Sequence, residues 1–151
     1  MTTPRAGYGT DTWCLGSIQP GRLVHGRMVV VQAIYRRLNT PRGTLRGLDD
    51  PNGTDENEGE NEANYGFDVA NFVGQIGYPA VLVAIPGRVR AEIQKDERVI
   101  NATVRATDTR DADGSIDIVL DVTCQLTDQL DPLSLTLGVS DAGVALLGSS
   151  A

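Results

Sequence analysis

A chain of 151 residues, 40% hydrophobic and 22% charged, has the size and make-up of one globular domain with its own core. Two cysteines are too few for a disulfide scaffold, and no apolar run reaches the ~18 residues of a membrane-spanning helix. The formal charge of -7 is local: Asp49, Asp50, Asp55, Glu56, Glu58, Glu60 and Glu62 fall in one base-free stretch, and the remaining acids balance the 13 Lys and Arg. A neutral body with no basic stripe argues against nucleic-acid binding, which needs clustered cations to displace counterions. The opening Met1-Thr2-Thr3-Pro4-Arg5 carries no apolar signal run, so the expectation is an intracellular, reduced product with no membrane partner.

In chain order, residues 1–26 read as two short extended pieces, around Trp13-Cys14-Leu15 and Leu23-Val24, separated by a turn at Gln19-Pro20-Gly21. From Arg27, Val31, Ile34, Tyr35 and Leu38 fall at i, i+3, i+4 and i+7 and predict a helix. It ends near Asn39, because Thr40 precedes Pro41 and is pushed out of the helical region. The acidic stretch that follows has no periodicity and reads as a solvated loop over about 49–64. A calcium loop fails on spacing, since Asp55 stands where such a loop needs glycine.

Asp68 is a candidate N-cap for a second helix bearing Val69, Phe72, Val73 and Ile76, with Gly77 placed to close it. Leu82, Ile85, Val89 and Ile93 continue one stripe through Pro86, which predicts a single kinked helix. Three alternating strands follow. The first carries Ile100, Ala102, Val104 and Ala106, the second Ile116 to Cys124, and the third Leu133, Leu135, Leu137 and Val139; Asp113-Gly114 turns the first pair. Helices followed by an antiparallel meander predict an α+β domain: N-terminal helices packed on a three-to-four-stranded antiparallel sheet.

Chemistry is harder to find. The only histidine, His25, has no nucleophile or acid at readable spacing, and no serine elbow or phosphate loop occurs. One His with distant Cys14 and Cys124 makes no zinc site, and Cys124 reads as a small buried hydrophobe on a strand face. No pair of carboxylates is set for glycoside hydrolysis. The expectation is a non-enzyme with no catalytic residue, metal or cofactor. One cluster stands out: Glu92, Lys95, Asp96, Glu97 and Arg98 crowd the passage from helix to strand. Either it is a solvated helix end, with ion pairs worth under ~1 kcal/mol each, or Arg98 makes a forked pair with an acid that locks the junction or a subunit contact.

The chain resembles the gpW/gp25-like family of baseplate proteins of contractile phage tails and related injection machines, from about Tyr8 to Val139. Gly9-Thr10-Asp11 stands where that family often carries a similar N-terminal tripeptide. Thr40-Pro41-Arg42-Gly43 resembles its Thr-x-x-Gly segment after the first helix, and Asp50-Pro51 and Tyr65-Gly66 resemble its Asp-Pro followed closely by Tyr-Gly, with the acidic stretch inserted between them. Asp96-Glu97-Arg98 stands where the family carries Glu-Pro-Arg before a strand; Arg98 matches, Asp96 is conservative and Glu97 departs. The resemblance implies one baseplate domain over 1–151, working in the virion tail after assembly in the host cytoplasm. Its role would be to surround the tail tube and template the first ring of sheath. The implied partners are sheath protein, tail tube or tube-initiator protein, and other baseplate wedge proteins. Leu133, Leu135, Leu137 and Val139 become candidates for sheath contact through a strand edge open to β-augmentation, with a flexible C-terminal tail at about 141–151. The rival readings are a lysozyme-like peptidoglycan hydrolase and the equivalent subunit of a type VI secretion system.

Overall fold

The computed structural model describes residues 7–44, 64–76, 80–110, 112, 116–140 and 142–151. The order of elements is β1 (Thr10–Thr12), β2 (Leu23–His25), α1 (Arg27–Asn39), α2 (Val69–Ile76), α3 (Ala80–Ile93), β3 (Val99–Arg110), β4 (Ile116–Leu126), β5 (Leu133–Ser140) and β6 (Gly143–Ser149). This is an α+β fold with two antiparallel sheets, β1-β2 and β3-β4-β5-β6. Among the described residues no helix is long and apolar enough to cross a membrane.

The helices form where the periodicity places them. α1 buries Val30, Val31, Ile34 and Leu38 and stops as Thr40 becomes extended ahead of Pro41. Asp68 caps α2, its Oδ1 accepting the Asn71 N–H at 3.2 Å; Gly77 lies outside the described residues. α3 runs unbroken through Pro86, and its buried stripe is Val81, Ile85, Val89 and Ile93, with Val81 in place of the half-buried Leu82.

Helices and sheet close on one core. Ile118, Leu120, Val122, Cys124 and Leu126 of β4 and Leu133, Leu135, Leu137 and Val139 of β5 face it, each at most 3% exposed. Burying a side chain of this size contributes about 1.5–3 kcal/mol. Burial also pushes the Cys124 thiol up to about 11, in keeping with a small buried hydrophobe.

Three expectations are corrected. A β-bulge between Val99 and Asn101 adds one residue to β3, so Val99 enters the core and Ile100 turns out to 55% exposure. The strand Leu133–Ser140 is not an edge, because β6 pairs along it. Residues 143–149, expected within a flexible tail, are that outer strand, with Val144 buried against the core. The Asp113-Gly114 turn lies outside the described residues, but Arg110 opposite Ile116 closes the hairpin it was read to make. The acidic stretch Asp49 to Glu62 also lies outside them.

Candidate functional site

Two features of the described residues bear on function: the junction between α3 and β3, where the acids and Arg98 singled out by the sequence meet, and the outer edge of β6. At the junction, the tight passage out of α3 brings Arg98 back onto Asp96. Arg98 Nε donates to Asp96 Oδ1 at 2.8 Å and NH2 donates to Oδ2 at 2.6 Å, while the Arg98 backbone N–H adds a third bond to Oδ1 at 3.0 Å. This is the forked pair, and Asp96 is only 5% exposed. Burial alone would raise the Asp96 carboxyl, but the Arg98 side-chain bonds, then its backbone N–H and its charge, outweigh burial and hold it below the ordinary value. The Arg98 carbonyl accepts the Thr127 N–H at 3.0 Å, which ties the junction to the β4–β5 loop. Tyr8 Oη accepts the Asp128 N–H in that loop at 2.8 Å. Glu97 is exposed and lies outside the fork.

One turn earlier sits Glu92, which the sequence placed in this cluster without its distant partners Arg37 and Arg42. Glu92 has a fully enclosed side chain whose carboxylate faces Arg37 at 3.2 Å, Arg42 at 3.5 Å and Lys95 at 2.7 Å. Its Oε1 also accepts the Gly66 backbone N–H at 2.8 Å. The three cations come from α1, from the segment after it and from the end of α3, so one carboxylate ties together pieces distant in sequence. Gly66 is required there: its φ is +99°, and a Cβ would stand 2.3 Å from the Thr40 carbonyl oxygen. Lys95 Nζ donates to the Asn64 carbonyl at 2.6 Å, Phe67 N–H to the Arg37 carbonyl at 2.8 Å, and the Arg37 guanidinium lies 4.4 Å from the centre of the Tyr65 ring. Both flanks of the acidic stretch are therefore fastened at Glu92. A signal was present, since Glu92 lies three residues after Val89 on the apolar face of α3, where an acid survives only if paired.

Comparison of the chain with family models, with curated proteins and with solved structures finds no match. The reading of function therefore rests on the geometry and on the motifs.

The sheet has two outer strands, β3 and β6. β3 carries the charged residues Arg105 and Asp108, which discourage another strand from pairing. β6 reads GVALLGS, with no charge and no proline. Its neighbour β5, the predicted contact strand, turns Leu133, Leu135, Leu137 and Val139 into this chain's own core. The side chains named for sheath contact are therefore core residues, and the surface on that side belongs to β6.

The N-terminal hairpin frames the same edge. Gln32 of α1 is fully buried, and its Nε2 donates to the Thr12 carbonyl at 2.7 Å and to Asp11 Oδ2 at 3.0 Å, while its Oε1 accepts the Cys14 N–H at 2.9 Å. Arg36 adds an ion pair to Asp11. Burial would raise the Asp11 carboxyl, but the Thr12 N–H, Arg36 and Gln32 together lower it. These bonds fix Trp13 and Leu15 beside β6, where with Gly16, Tyr35, Ala145 and Leu146 they line a groove of about 290 Å³. His25 is exposed and bonds Thr10 Oγ1 at 2.8 Å through Nδ1, a pin across the small hairpin.

Proposed function

We propose that this chain is a non-enzymatic baseplate subunit of a contractile tail, seated around the tail tube, that templates the first ring of sheath by accepting a strand on β6. The observation that carries this reading is an uncharged outer strand, open over part of its length, on an antiparallel sheet. Such an edge offers main-chain donors and acceptors in register, the means by which one chain extends the sheet of another. The Asp96–Arg98 fork supports the reading from a second side. It lies where the resembled family carries its acid-x-Arg motif, and it holds the start of β3 against the end of α3. Tube or tube-initiator protein and other wedge proteins complete the set of partners, and the setting is a phage virion or the baseplate of a related injection machine.

The test mixes purified protein with its cognate sheath and tube proteins and counts sheath rings by negative-stain electron microscopy. A turbidity assay on peptidoglycan runs beside it. Rings that depend on the protein, without lysis, are expected; lysis that survives re-purification would favour the hydrolase reading instead.

A further inference from the structure

The outer edge of β6 is not uniform along its length. Val144 turns its N–H and C=O away from β5, and the Asn39 side chain takes both: the N–H donates to Oδ1 at 3.0 Å and Nδ2 donates to the carbonyl at 3.4 Å. The carboxamide stands where the peptide group of a neighbouring strand would stand. Nδ2 also donates to the Tyr35 carbonyl at 3.1 Å, which fixes the side chain to the last turn of α1. Because strand groups alternate, Leu146 presents its N–H and C=O on that same outer side, opposite Leu137 of β5. Among the described residues nothing bonds them there. A β-bulge follows at Leu147, where the register with β5 shifts between Leu137 and Thr136; past it the Ser150 N–H returns to the Ser134 carbonyl at 2.9 Å, so Ser149 is the next residue to face outward. The usable edge is thus short, from Leu146 to Ser149, and Asn39 marks where it begins.

Beside that stretch lies the groove formed by Trp13, Leu15, Gly16, Tyr35, Ala145 and Leu146, with no charged side chain in its lining. A strand laid on Leu146 and Ser149 sends alternate side chains to opposite faces, one face toward the groove and the other toward solvent. The Arg22 guanidinium lies 3.6 Å from the centre of the Trp13 ring, with no acidic partner among the described residues. A carboxylate next to the anchoring side chain therefore meets a complementary charge. A second copy of this chain fits poorly, because two β6 edges paired about Leu146 would oppose residue 148 of one copy to residue 144 of the other, and Asn39 already occupies that place.

We infer that β6 accepts one extended segment of a different protein over Leu146–Ser149, that Asn39 sets its register, and that the groove holds a bulky apolar side chain of that segment beside an acidic one. This deepens the strand-accepting reading of β6 and rests on it, but the donor's chemistry follows from the edge and groove whatever that donor is.

Trp13 is the chain's only tryptophan and lines the groove, so its emission reports occupancy directly. The full-length protein is titrated with the capped peptide Asp-Leu-Thr-Val-Thr-Gly. Two control peptides replace its Leu by Lys or its Val by Pro. The parent peptide is expected to give a saturable blue shift, each control to bind at least about tenfold more weakly, and Leu15→Glu to weaken the parent peptide by a similar factor. The Val144 amide is expected to exchange slowly in the wild type with or without peptide, and in Asn39→Ala to exchange fast when free and slowly when bound. No emission change with the parent peptide, or equal binding of the proline peptide, overturns the inference. Sheath nucleation that proceeds unchanged with both Leu15→Glu and Asn39→Ala overturns the edge assignment and leaves the sheath reading standing. Peptide binding with no nucleation by the wild type overturns the sheath reading and leaves the acceptor edge.

Discussion

Asp96 and Arg98 lie two residues apart, yet the turn between α3 and β3 lets a short acid reach the fork of a long guanidinium while also accepting its backbone N–H. Hydrogen bonds to charged groups contribute about 1.5–3 kcal/mol each when well shielded, and Arg98 is partly exposed, so the lower figure applies. Because the folded carboxyl is held below its ordinary 3.8, its contribution is fully present above that value and is lost as pH falls through the lowered folded value. Asp96→Asn is therefore expected to cost about 1–2 kcal/mol at neutral pH. The gap from wild type should shrink in urea denaturation series carried below about pH 4. A gap that stays constant through acid would remove the carboxylate from the account.

Glu92 is the harsher case, an enclosed carboxylate facing three cations. Removing its charge leaves those cations around a neutral amide, and breaking such a buried set costs about 3–5 kcal/mol. Glu92→Gln is expected to lose that much, while Glu97→Gln at the exposed neighbouring site stays within about 0.5 kcal/mol of wild type. Equal effects at the two positions would show that Glu92 is no centre. Residue spacing made the Asp96–Arg98 fork legible because both partners are local. It did not reveal the Glu92 centre, because Arg37 and Arg42 reach it only after the chain has folded.

At the scale of elements, period decided what was legible. α1 and α3 bury most of the stripes they carry, with Val81 taking the place read for Leu82, and β4 and β5 alternate with one break at Val119, so helix, helix and meander follow from the residues alone. β6 did not, because Val144-Ala145-Leu146-Leu147 is a run of four apolar residues with no alternation. Alternation along β6 sends Val144 into the core and Leu147, three residues on, out to 61% exposure. The bulge at Ile100 was hidden for a different reason, since one inserted residue moves a side chain to the other face. The burial of Val144 also changes what a truncation means. Deleting residues 141–151 removes a paired strand and a buried valine, so the loss is expected to exceed about 2 kcal/mol in chemical denaturation. A truncated chain as stable as the full one would contradict the pairing of β6 with β5.

Across the whole molecule, the parts divide into a body and an edge. The body is neutral once the acidic stretch is set aside, and the Glu92 centre fastens the two flanks of that stretch against α1 and α3. Closing a longer connection between fixed ends costs little more than closing a short one, so the length of chain between Thr40 and Tyr65 adds little to the cost of folding. The edge lies on the far strand of the sheet, bounded at one end by Asn39 and walled by the N-terminal hairpin that Gln32 pins in place. Two remote bonding systems thus serve one surface: the junction holds β3 and with it the sheet, and the hairpin shapes the groove beside β6.

If the chain templates sheath through β6, as proposed, the edge is needed for ring formation. The most direct measurement counts sheath rings by negative-stain electron microscopy after mixing sheath and tube proteins with wild-type protein or with Leu15→Glu. Rings are expected with the wild type, and a loss of most of them with Leu15→Glu, whose fold is checked by its unfolding transition. No rings with correctly folded wild-type protein and active partners would contradict the proposal.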